Sequence, residues 1–166
     1  MDDDHLPVYG VGPYLIIPML AISLLFSFAI KIPVFKVDYL NAPFLIIGVI
    51  FLVLGVIFWI LSVVRSKITE NILESNLITT GIYAYVRHPI YSAFLFVSTG
   101  LIFISNNLYL FILPIIFWAL LSLVIINTEE KWLIEKFGNE YREYSQRVSR
   151  FIPFLRDMII WDFLTI

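Results

Sequence analysis

Four long apolar runs, roughly Pro13 to Ile30, Pro43 to Val64, Pro89 to Ser105 and Leu108 to Ile126, leave this chain few ways to fold. A bilayer core is about 30 Å thick and a helix rises roughly 1.5 Å per residue, so each run can cross, or nearly cross, a membrane. Backbone groups find no water in lipid, which makes every span a helix. Composition agrees: 60% of the 166 residues are hydrophobic and 14% are charged, leaving no stretch of useful size for a soluble domain. The expected fold is all-α, a polytopic membrane protein with about four transmembrane helices in a single domain over residues 1–166. Asp2, Asp3 and Asp4 precede the first run without a Lys or Arg, the wrong flank for a cleavable leader, so that run is expected to be a retained helix.

Charge placement orients the spans. With four crossings, the amino end, the 65–88 loop and the carboxyl tail share one face, which carries Arg65, Lys67, Arg87, Lys131, Lys136, Arg142, Arg147, Arg150 and Arg156. The other face has only Lys31 and Lys36. By the positive-inside rule both termini and the polar motifs between them face the cytoplasm. No basic stripe interleaves with aromatic residues, so nucleic acid is not an expected partner. The absence of cysteine excludes disulfides and thiolate metal sites. His5 and His88, the only histidines, are too few for clustered-histidine iron chemistry or a bis-histidine haem, and no metal is expected.

The chain has two characters. Residues 1–64 form an amino-terminal hairpin, nearly featureless except that Pro18 is placed to kink the first helix and Gly48 and Gly55 allow close packing in the second. Residues 65–166 hold almost all the polar groups that are not at a terminus. In the 65–88 loop, Ile68, Ile72, Leu73 and Leu77 recur at helical spacing beside Glu70 and Glu74, a pattern that fits a segment lying on the membrane surface. Thr79-Thr80-Gly81 breaks that pattern, and Tyr83, Tyr85 and Tyr91 follow, rings that in the plainest reading form an interfacial belt.

Two polar motifs, Arg87-His88-Pro89-Ile90-Tyr91 and Glu129-Glu130, stand at the two ends of one hydrophobic hairpin whose turn is Asn106-Asn107. A helix down and a helix back returns Glu129 to the depth of His88. Pro89 suits the first position of a helix, which puts His88 near the N-cap, where free amides and the helix dipole favour a carboxylate. Arg87 can offer a fork of donors to the same group, a fit to the amino-acid-like end of a ligand. An Arg-His pair at a helix end also serves as a plain topology determinant. Two adjacent carboxylates at a bilayer boundary are costly without partners, and topology alone does not explain them. Beyond them the tail reads as a helix, a stop at Gly138 and a second helix whose apolar stripe is Tyr141, Tyr144 and Val148, ended by Pro153.

From Leu77 to Pro153 the chain resembles the isoprenylcysteine carboxyl methyltransferase and phospholipid methyltransferase group of integral membrane enzymes. The ordered set that carries the resemblance is Gly81, Tyr83, Arg87, His88, Pro89 and Tyr91, then Glu129-Glu130, Phe137-Gly138, Tyr141, Tyr144 and Pro153. Ala93 stands where the pattern has a final Gly, a small-for-small exchange. The resemblance implies S-adenosylmethionine as methyl donor, in a pocket roofed by the tail and walled by the last two spans, and makes 65–166 the cofactor-binding half. By motif position, Leu77, Ile78 and Tyr83 would line the nucleoside or methionine part. His88, Pro89, Ile90 and Tyr91 would hold the methionine end, and Glu129 would meet a hydroxyl or ammonium group. Arg87 and Glu130 are the candidate catalytic residues, Glu130 as the base if the acceptor is an amine.

The implied acceptor is lipophilic or amphipathic, a carboxylate or an amine, entering from the lipid side. In prenylcysteine enzymes an Arg one turn before the Glu pair is expected to meet the acceptor carboxylate, and Ile125 occupies that position here. Two other readings are open: an NADPH-dependent membrane ene-reductase of the sterol type, whose carboxyl-terminal architecture is related, and a non-enzymatic membrane scaffold.

Overall fold

The computed structural model describes residues 11–29, 35–65 and 76–153. The surface segment expected around Ile68, Ile72 and Leu73, with Glu70 and Glu74, lies outside the described residues, as do His5, Lys31, Lys67 and Arg156. Helix α1 spans Gly12–Leu24, with Pro13 in its first turn, runs through Pro18 and continues in a widened turn over Leu25–Ala29. Helix α2, Asn41–Ile60, continues the same way over Leu61–Arg65. Helix α3 is Pro89–Ser105. Helix α4, Leu113–Ile125, is entered through a tight turn at Leu108–Ile112 and passes through a widened turn at Ile126–Glu130 into α5, Lys131–Phe137. Helix α6, Asn139–Arg147, is the last described helix, with residues 148–153 following it.

Three of these units are long and apolar enough to cross a membrane: Gly12–Ala29, Asp38–Val63 and Leu108–Phe137. The remaining expected span, α3, is shorter at 17 residues, ended by Pro89 at one side and Asn106 at the other. Pro89 supplies the first position without an N–H, and Asn106 takes a left-handed backbone (φ 46°) at the other end. The fourth run does not stop at Ile126, as its hydrophobicity suggested. One continuous helical unit carries it past both glutamates to Phe137, so the first helix of the tail extends the span.

Helices α2 and α3 pack antiparallel through small residues seven apart. A Cβ on Gly48 would lie 2.8 Å from the carbonyl oxygen of Gly100, one on Gly55 2.8 Å from that of Ala93, and one on Gly100 2.7 Å from that of Gly48. Side chains there would push the backbones apart, so the glycines set the helix separation. The small residue at 93 belongs to this seam. Rings fill the space beside it: Phe103 stacks on Phe51 at 5.7 Å and meets Phe111 edge-on at 4.7 Å. The core joins α1, α3, α4 and the tail through Met19, Leu95, Ile102, Phe117, Ile125 and Phe151. Apolar side chains on the outside, such as Ile46, Ile50 and Val53 of α2 and Ile115 and Leu120 of α4, are what a lipid-facing surface requires.

The Asn106-Asn107 end is tied by neutral amides. Asn106 donates its side-chain N–H to the carbonyl of Val37 (3.2 Å) and to Asn41 Oδ1. Asn107 Oδ1 accepts from the backbone N–H of Phe35 and of Tyr109, both at 3.3 Å. The hairpin then brings Glu129 and Glu130 back beside His88, as its length predicted.

Candidate functional site

Helix α3 begins with Pro89 at its first position and His88 as N-cap, with no side-chain cap bond, so the imidazole is left to point elsewhere. The backbone around it is held by the tail. Arg87 N–H donates to the carbonyl of Ser149 (2.8 Å) and His88 N–H to that of Arg150 (3.1 Å), a strand-like pairing joined by a parallel bridge between Val86 and Ser149. Ser92 Oγ donates to the carbonyl of Phe151 at 2.6 Å. The tail reaches this place because Gly138, at φ 56°, reverses the chain after α5, and its N–H caps the carbonyl of Ile134. Helix α6 then lays Tyr141 and Tyr144 inward, and the Tyr144 hydroxyl donates to the carbonyl of Tyr83 at 2.6 Å. Burial, with the carboxylate of Glu130 adding to it, lifts the phenol of Tyr141 well above the ordinary tyrosine range, and burial does the same for Tyr144.

Glu130 is the centre of the cluster. Its Oε1 accepts from Arg87 Nε (3.0 Å) and Nη2 (2.9 Å) and from Arg150 Nε (3.0 Å), while Oε2 accepts from Arg150 Nη2 (3.0 Å). Two guanidinium forks therefore close on one carboxylate. The remaining arm of Arg87, Nη1, donates to the carbonyls of Ser145 (2.6 Å) and Val148 in the tail. Glu129 is held more lightly: Tyr91 Oη and the backbone N–H of Val11 (3.2 Å) donate to its Oε1. The imidazole of His88 stands between the two, Nδ1 at 3.6 Å from Glu129 and Nε2 at 3.3 Å from Glu130. The side chain of Glu129 is 22% exposed against 3% for Glu130.

This arrangement redirects two expectations. The fork of Arg87, expected to meet a ligand carboxylate, meets the protein's own Glu130. Glu130, the expected base, has its oxygens inside two arginine forks, and Glu129 is the carboxylate with an open side. The structure gathers Arg87, His88, Tyr91, Glu129 and Glu130 into one cluster. Pro89 is fully buried beneath it and Ile90 half-buried beside it. Tyr83 enters through its carbonyl, and Leu77 and Ile78, half-buried ahead of the Gly81 turn, are not among the residues bonded to either glutamate. Ile125 is fully buried in the core, one turn before the pair. Sequence reasoning passed over Arg150 and the amide of Val11. The first carried a signal: a lone charge inside the apolar stretch from Val148 to Pro153 needs a buried partner. The second, a backbone donor, carries none.

A family model described as phospholipid methyltransferase matches residues 39–140, more than half of the chain. The chain belongs to that family. Five polar residues of the site, Arg87, His88, Tyr91, Glu129 and Glu130, fall inside the matched phospholipid methyltransferase region, whereas Val11 and Arg150 reach in from either flank. Over 80 residues, 48% of the chain, it is 36% identical to a protein-S-isoprenylcysteine O-methyltransferase of Schizosaccharomyces pombe and 40% identical to one of Saccharomyces cerevisiae. Over 77 residues, 46% of the chain, it is 35% identical to a methanethiol S-methyltransferase of Bradyrhizobium diazoefficiens. The matched segments make up 34%, 33% and 26% of those proteins, so the chain spans about a third or less of the length of these curated relatives. No solved structure matches the chain.

Proposed function

We propose that the chain transfers the methyl group of S-adenosylmethionine to a lipophilic or amphipathic acceptor, a carboxylate or an amine, at the cytoplasmic face of a membrane. The observation that carries this reading is the imidazole of His88 braced between an arginine-clamped Glu130 and a partly open Glu129, at the polar end of an otherwise apolar bundle. The donor set fits such a cofactor. Its ammonium and ribose hydroxyls need an acceptor, and Glu129 is an anchored carboxylate with an open side. The cofactor would supply an electrophilic methyl group on a sulfonium, with Glu129 as the residue that would hold its polar end.

In this reading the protein's task is alignment and exclusion of water, because an in-line displacement needs no protein nucleophile. Glu129 holds the cofactor's polar end, with Tyr91 and the Val11 amide fixing the angle of its carboxylate. His88 fixes the distance between the two glutamates. Glu130, with Arg87, anchors the end of the hairpin. An apolar groove of about 120 Å³ between α1 and α4, lined by Tyr14, Pro18, Met19, Phe117 and Leu121, starts one turn along α1 from Val11 and supports an acceptor with an apolar chain.

Calorimetry of S-adenosylmethionine with the detergent-purified protein tests the reading. Wild type is expected to bind saturably, Glu129→Ala and His88→Ala to lose binding, and radiolabelled methyl groups to move to an amphipathic acceptor. A folded wild type that binds no S-adenosylmethionine overturns the proposal, and binding of NADPH in its place moves the function to the reductase class.

A further inference from the structure

We propose that Arg150 is a positioning residue: it latches the tail, residues 139–151, over the site and sets Glu130, and through His88 also Glu129, for the cofactor. The inference rests on the methyltransferase reading for what the site binds, but not for the latch itself. Arg150 is fully buried, the largest side chain in the described residues to be so, and its fork takes both oxygens of Glu130. Its own carbonyl receives the His88 N–H, so one residue grips the site by side chain and backbone together. The grip is reciprocal, because Arg87 from the opposite side sends Nη1 into the carbonyls of Ser145 and Val148. Each arginine thus bonds Glu130 and also ties the α3 entry to the tail.

Helix α6 itself is held along one face only. Glu140, Arg142, Glu143 and Arg147 of α6 are exposed, and only Tyr141 and Tyr144 of that helix are buried. Its pivot, Gly138, has open space around the position a Cβ would take. A surface helix on a glycine pivot depends on its far end, where the Arg150–Glu130 pair is the buried charged contact that joins the backbone bonds of Ser149, Arg150 and Phe151. The imidazole carries the constraint onward, since Nε2 faces the clamped carboxylate and Nδ1 the open one.

The test is hydrogen exchange at the Arg87 and His88 amides, which donate to the tail, read together with S-adenosylmethionine affinity in wild type, Arg150→Ala and Arg150→Lys. Arg150→Ala is expected to speed exchange at both amides and to weaken S-adenosylmethionine binding, each roughly tenfold or more, because a bidentate buried pair is broken. Ethylguanidinium added at millimolar concentration is expected to restore affinity to the Ala variant and not to Arg150→Lys, which fills the site with a single-point charge. Should Arg150→Ala not fold, Arg150→Lys carries the same two measurements. Unchanged exchange in a folded variant overturns the latch, and faster exchange with unchanged affinity overturns the positioning role. Faster exchange in a protein whose wild type binds no S-adenosylmethionine upholds the latch and sinks the methyltransferase reading alone.

Discussion

The two ends of the α3–α4 hairpin solve the same problem with different chemistry. At one end, Asn106 and Asn107 tie the turn to residues 35–41 through neutral amide bonds. At the other, Arg87, Arg150, His88 and Glu130 are buried against one another, with Glu129 partly open beside them. The first end shows what closing a turn at a membrane face demands, and neutral amides are enough. The second holds far more charge than closure needs, at a desolvation cost that only good geometry offsets. On the proposed function, that surplus belongs to the working end.

Removing the charge at the working end should have the largest effect. Glu130→Ala leaves Arg87 and Arg150 facing each other without their shared carboxylate, and breaking a buried pair of this kind costs about 3–5 kcal/mol. The variant is expected to unfold at lower temperature in detergent and to lose its tail to limited proteolysis near Gly138 before the bundle is cut. If the tail stays protected, the two ends are not as different as their chemistry suggests. Next comes the seam that holds the hairpin against α2. In Gly55→Val the new Cβ would sit 2.6 Å from Val97 Cγ2 and 2.8 Å from the Ala93 carbonyl, and overpacking of this sort costs about 1–3 kcal/mol. Thermal unfolding should register that loss with the tail still docked.

A smaller effect is expected at the quiet end. Asn107→Ala removes an acceptor that caps the turn at Tyr109 and also holds Phe35, worth about 1 kcal/mol. Chemical unfolding should detect it, while S-adenosylmethionine affinity stays at the wild-type level; a change in affinity would mean that the far end is coupled to the site. The mildest probe is alkali. Burial raises the phenols of Tyr141 and Tyr144, so their contribution to tail docking is complete below the ordinary tyrosine value of about 10 and is lost as pH climbs from there toward the raised value. Tyrosinate absorbance followed beside tail proteolysis should show the tail releasing in that window, with the amide-tied turn unaffected.

Much of this contrast is legible in the sequence. Pro89 after His88, Asn106-Asn107 between two apolar runs and Gly138 before a striped helix are local signals, written within a few residues, and each sits where such signals place it. The meeting of Glu129-Glu130 with Arg87-His88 was also legible, because helix length converts directly into depth. The partner assignments were not. Whether Arg87 faces a ligand or the protein's own carboxylate depends on where the tail returns, and Arg150 reaches Glu130 across 20 residues that include a chain reversal. The amide of Val11, 118 residues from Glu129, has no side chain to announce it. The widened turn at Ile126–Glu130 escaped for a related reason. Hydrophobicity falls away there, but the backbone ladder continues, and polarity alone cannot separate a helix that ends from one that leaves the lipid.

The ring of His88 has a consequence for what substitutions the site can accept. It is a flat, rigid spacer with two ring nitrogens set on either side of one carbon, and each nitrogen faces a different carboxylate. No other side chain combines that stiffness with two polar corners; tyrosine and tryptophan have one polar atom each, and asparagine and glutamine turn about flexible bonds. In a library that randomises single positions, Asn107 should therefore return a small set of working substitutes, Ser, Thr and Asp among them, whereas position 88 should return none.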